Sequence, residues 1–211
     1  MRFAAFILTA TLLSAQAPPP GNIDLRGDRF PPLKWETMTP EQRKMAESVM
    51  SGPRRALDGP MNILLRSPEM GDLAQKFGAS MRFLDTMPAK LRELAIIVTA
   101  RHWTAQFEWS AHARAAAQAG LDAAIISDIA AGRRPAKLSP EEAVVYTFTT
   151  ELLTKKQVSD ATFAATKAQL GERGIVDLIG IMGWYQMVSM MLNVDRYPLP
   201  NGEAPPLKPL P

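Results

Sequence analysis

Apolar positions between Thr39 and Asn193 recur at helical spacing, and no stretch alternates apolar and polar residues as a half-buried strand would. The spacing predicts helices over 40–51, 68–84, 88–103, 105–119, 122–131, 140–156, 160–170 and 172–193. Their starts are marked by residues that satisfy the free N–H groups of a first helical turn. Thr39-Pro40-Glu41-Gln42 and Ser139-Pro140-Glu141-Glu142 are capping boxes with proline at the first helical position. Ser67-Pro68-Glu69, Pro88, Thr104 and Ser159 mark further starts, and Gly120, Gly132 and Gly171 mark stops. No internal repeat is present. The fold class expected is all-α, a multi-helix bundle.

Two predicted helices are apolar on nearly every side. One is Leu91 to Ala100 and the other Ile175 to Leu192, where Gly180 and Gly183 would let a neighbouring helix approach closely. A helix without a polar face belongs in a core. The second is also long enough to raise the question of a membrane span, but Asp177, Gln186 and Ser189 interrupt it and no basic cluster follows. A buried core helix or a subunit interface fits better. Its methionines (Met182, Met187, Met190, Met191) suit either.

The flanks read differently. Residues 18–38 contain Pro18-Pro19-Pro20 and Pro31-Pro32, and residues 198–211 contain Pro198, Pro200, Pro205, Pro206, Pro209 and Pro211, so both are expected to be extended arms. Ahead of the first arm, Arg2, the apolar run Phe3–Leu13 and Ala15-Gln16-Ala17 form the three-part pattern of a secretory signal over residues 1–17. The expectation is an exported protein, periplasmic or secreted, with a helical domain over 39–197 and no membrane attachment once the signal is removed. The 24 basic and 21 acidic residues leave a net charge of +3, spread as short doublets such as Arg54-Arg55, so no nucleic-acid partner is expected. The chain has no cysteine. Disulfides and thiol chemistry are therefore excluded, and the fold must rest on packing.

Candidate chemistry lies in Arg92–Gly120, where two helices meet at a short turn near Thr104. Glu93 lies about ten residues before that turn and His112 about nine after it, so at 1.5 Å per residue both sit roughly 14–15 Å from it, on one level. Glu108 lies four residues before His112, on the same face. Glu93 has Ile96, Ile97 and Ala100 as its helical neighbours, and an acid on an apolar face needs a partner. The imidazole is the obvious one. Spacing alone leaves two readings open: an acid–base site, or a carboxylate that merely ties one core helix to the next.

The segment resembles the Glu-x11-Cys-x2-Cys-x3-His motif of the carboxymuconolactone decarboxylase and alkylhydroperoxidase-D-like superfamily. Glu93 stands at the glutamate, Ala105 and Glu108 at the two cysteine positions, and His112 at the histidine. The resemblance covers roughly residues 50–195 and includes the glycine after the histidine helix, the second capping box and a last helix ending in Leu192-Asn193. It implies an alkylhydroperoxidase-D-like helical bundle that assembles as trimers or hexamers. Peroxidase members of that superfamily work through the cysteine pair, which this chain lacks. The decarboxylase branch also lacks the cysteines, keeps the histidine and needs no cofactor. The resemblance thus implies a lyase or isomerase acting on a small lactone or keto acid. His112 would be the principal acid/base, with Glu93 tuning it and Glu108 serving as a second acid or a substrate positioner. Trp103, Phe107, Trp109 and Tyr185 are candidate pocket walls, and Arg101 and Asn193 candidate ligands for a carboxylate or carbonyl. A metal site is not expected, because His102 falls beside the turn and the remaining donors are too few. The competing reading is a non-catalytic, oligomeric small-molecule-binding protein on the same fold.

Overall fold

The computed structural model describes residues 21–209, so the expected secretory signal lies outside the described residues. Eight helices follow in order: α1 (Pro40–Ser51), α2 (Met61–Leu64), α3 (Pro68–Arg82), α4 (Ala89–His102), α5 (Gln106–Gln118), α6 (Ala123–Ala130), α7 (Pro140–Lys155) and α8 (Asp160–Asp195). Among the described residues the extended chain pairs only at an isolated bridge between Ile23 and Leu57. The all-α expectation holds. The one helix it lacked is α2, a single turn too short to carry a periodicity.

Local chemistry sets most boundaries. The Thr39 hydroxyl accepts from the Gln42 N–H while the Gln42 side chain accepts from the Thr39 N–H, and Ser139 and Glu142 repeat the exchange. Ser159 accepts from the Thr162 N–H. Each such cap contributes about 1 kcal/mol. Gly120, Gly132 and Gly171 all adopt positive φ, as stop signals should. Gly171 breaks α8 into two rods rather than ending a separate helix. Thr104 is a correction: it sits in the left-handed region at φ 48° instead of capping α5, and Ala105 occupies the cap position without a side-chain bond. The Thr104 hydroxyl instead accepts from Arg101.

α4 is the hub, packed against α5, α6, α7 and α8. That explains its missing polar face: Leu94, Ala95, Ile96, Ile97 and Ala100 are fully buried. The apolar rod of α8 buries only one side. Leu178, Ile181, Trp184, Tyr185 and Val188 face the bundle, while Val176, Ile179, Met190 and Val194 lie exposed. α8 is apolar and long enough to cross a membrane, but half of its most apolar window is buried inside the bundle, as in a core helix. Gly180 admits the Met81 sulfur, and Gly78 on α3 faces the Trp184 ring so closely that no Cβ would fit. Gly183, expected to serve the same purpose, faces open space.

Both arms are packed down. Asp195 at the end of α8 accepts from the backbone N–H groups of Asp28 and Phe30, and Asn62 donates to the carbonyls of Arg26 and Phe30. On the other side, Gln106 binds both backbone groups of Leu207 at 2.9 Å, and Arg101 donates to the Lys208 carbonyl at 2.8 Å. Leu207 itself is buried in the core. The C-terminal arm therefore latches the turn between α4 and α5.

Candidate acid–base site

α4 and α5 run back to back from the Thr104 turn, which Ala105 closes by donating its N–H to the Ala100 carbonyl at 2.9 Å. Equal arm lengths on either side bring Glu93 and His112 to the same level, as the count along the sequence requires. His112 donates its Nδ1–H to Oε2 of Glu93 at 2.7 Å, with both side chains buried. Fixing the proton on Nδ1 leaves Nε2 as the free basic nitrogen. Nε2 faces Oε2 of Glu108 at 3.3 Å, and that buried oxygen makes no hydrogen bond among the described residues. The edge of Tyr185 packs against the imidazole with ring centroids 4.7 Å apart.

These groups line a cavity of about 140 Å³ between α5, α8 and the loop ahead of α2. Phe107, Trp184 and Val188 supply apolar wall, and Arg54, Arg82 and Asp58 supply charge. Burial pushes the Glu108 carboxyl above its ordinary value, against weaker pulls from His112, Arg82 and Arg54. Burial also raises the Tyr185 phenol, with Glu108 adding to the shift. A carboxyl that favours its proton, beside an imidazole whose second nitrogen is free, gives one donor and one acceptor within a single hollow. A larger cleft of about 460 Å³ lies beneath the C-terminal arm and shares Phe107 as a wall, but no histidine–carboxyl couple lines it.

Of the residues singled out in the sequence, Glu93, Glu108, His112, Phe107 and Tyr185 meet at this cavity. Four do not. Trp109 is core. Trp103 stands at the turn, where its carbonyl accepts from Asn193 at 2.8 Å. Asn193 is thus occupied at the turn, away from the imidazole. Arg101 is held by Thr104 and the Lys208 carbonyl on the far side of α4. His102 is exposed beside Trp103 and well away from His112, as its place next to the turn implies. Sequence reasoning missed Arg54, Arg82, Asp58 and Trp184. Only the Arg54-Arg55 doublet gave a signal, and a doublet reads as surface.

The model of the Carboxymuconolactone decarboxylase family matches residues 68–151, a span that begins with α3 and holds both Glu93 and His112. Curated proteins yield no match. The helical bundle, the kept motif spacing and this match agree in supporting a carboxymuconolactone decarboxylase-like superfamily assignment, for a chain without cysteine.

Proposed function

We propose that this protein is a cofactor-independent acid–base enzyme, similar to carboxymuconolactone decarboxylase, that moves a proton at carbon in a small lactone or keto acid. One observation carries the reading: His112 is clamped by Glu93 through Nδ1 and offers Nε2 to a small cavity of mixed charged and apolar wall that also holds Glu108, whose carboxyl burial pushes above its ordinary value. In an isomerisation, Nε2 takes a proton from the carbon beside a carbonyl, and the electron pair moves onto the carbonyl oxygen. Glu108 donates toward that oxygen, and the imidazolium returns its proton to a neighbouring carbon. In a decarboxylation, the C–C pair left behind as carbon dioxide departs is protonated at carbon by the same groups. Neither route needs a thiol, and the absence of cysteine leaves a thiol peroxidase cycle without its redox couple.

The test is a panel of small lactones and keto acids in deuterated water, with carbon dioxide and deuterium uptake followed together. His112→Ala and Glu93→Gln should each abolish most of any activity found. Activity that survives both changes rejects the mechanism. A panel that binds but never exchanges favours the non-catalytic binding protein. The exposed seam of Val176, Ile179, Met190 and Val194 on α8 supports a homo-oligomer in either case, and light scattering in solution tests it.

A further inference from the structure

The cavity wall holds a cation that the fold leaves unanswered. Arg54 comes from the loop ahead of α2, with its guanidinium 5.5 Å from the centre of the Trp184 ring. Its Nε and Nη2 are buried and have no hydrogen-bond partner among the described residues. It also makes no ion pair among them, although Asp58 and Glu108 act on it through space. Glu93 is committed to His112 and Glu108 faces the imidazole. A desolvated guanidinium is unfavourable until an anion meets it, and its rigid planar fork matches the paired oxygens of a carboxylate, the anion that a keto acid brings. Arg82, the other cation on this wall, is exposed and adds the same sign at the rim.

We infer that Arg54 grips a carboxylate of the substrate, and that this carboxylate stays in the product. The inference rests on the acid–base reading above and deepens it. Retention follows from charge. A departing carboxylate leaves as neutral carbon dioxide, its bonding pair going to the carbon it leaves, so its charge fades along the reaction. Arg54 binds the full charge best and would hold the starting state down more than the transition state. A carboxylate seated there is an anchor, and the carbon that exchanges its proton lies at the other end, beside His112. The cavity is well below the usual 300–1,000 Å³ of drug-sized sites, so the acid is compact.

Levulinate serves as the probe, with methyl levulinate and γ-valerolactone as neutral counterparts. Binding is read by calorimetry and by tryptophan fluorescence, since Trp184 packs on Arg54. Levulinate should bind the wild-type chain, lose at least about tenfold affinity in Arg54→Met and less in Arg54→Lys. The two neutral probes should bind all three proteins alike. Circular dichroism identifies a variant that fails to fold, and Arg54→Lys then carries the comparison. Equal levulinate affinity in the wild type and Arg54→Met overturns the assignment, as does a wild type that takes the ester but not the acid. Carbon dioxide release from a monocarboxylate bound through Arg54 overturns retention. Arg54-dependent binding without carbon exchange keeps the anchor and removes the catalytic reading, so the two fail separately.

Discussion

Buried carboxyl groups in α7 and in the α5 cavity have opposite surroundings. On α7, Glu142 accepts from the Ser139 N–H at 2.8 Å and pairs with Lys90 at 2.9 Å. Near the other end, Glu151 pairs with Lys155 at 2.8 Å and accepts from the N–H and the hydroxyl of Ser159. Lys155 first, then the hydroxyl and amide donors, hold Glu151 down to about 2. Burial works against Glu142, yet Lys90 and Ser139 still hold it below its ordinary range. Glu108 is as deeply buried and has one oxygen with no hydrogen bond, facing only the His112 imidazole at 3.3 Å. A carboxyl that serves only the architecture collects every donor it needs. One left short of donors, facing a hollow, holds a proton more readily than an ordinary carboxyl does.

Four experiments break or sharpen that contrast, from the largest effect down. His112→Ala should cut turnover about 10²–10⁴-fold while leaving α7 untouched, with Glu93→Gln close behind because Nδ1 loses its acceptor; steady-state rates check both. Glu108→Gln should cost about tenfold or more in rate. It should also change the pH dependence of stability. A carboxyl raised by the fold binds its proton more tightly folded than unfolded, so its contribution falls as pH rises from the ordinary carboxyl value through the raised one. Melting curves across pH should therefore show the wild type losing ground to Glu108→Gln on the alkaline side, and parallel curves would show that Glu108 is satisfied after all. Lys90→Met strips Glu142 of its cation and makes it resemble Glu108. It should cost about 1 kcal/mol in urea unfolding, discounted because Lys90 is partly exposed, with activity unchanged. Glu151→Gln has the smallest effect and the opposite sign to Glu108. A depressed carboxyl stabilises the fold above its ordinary value and loses that contribution as pH falls toward 2, so the wild-type advantage should vanish in acid.

The legible part of the site is the part governed by helix geometry. Glu93 and His112 could be placed on one level because both are counted from the same turn, and Glu108 follows from the stacking of residues four apart. Caps at Thr39, Ser139 and Ser159 were readable for a similar reason, since donor and acceptor lie within three residues. What failed depends on distant parts of the chain. Arg54 reaches the cavity only because its loop folds beside Trp184, 130 residues onward. Nothing local distinguishes it from Arg55, which the same doublet leaves exposed. Arg101 and Asn193 looked like ligands because their actual partners, the Lys208 and Trp103 carbonyls, are backbone groups that no side-chain pattern reveals. Thr104 has the right composition for a cap, but the tightness of the turn forces it into positive φ and passes the cap position to Ala105.

Leu207 and the residues beside it lie C-terminal to every helix, yet they fasten the hinge from which Glu93 and His112 are measured. During translation the eight helices emerge before their clasp does, so the bundle has to collapse first and receive the clasp afterwards. A fusion partner or affinity tag spliced in at Leu207 would therefore act on the heart of the molecule, whereas the same addition at an exposed loop such as the one following Gly132 would leave it alone.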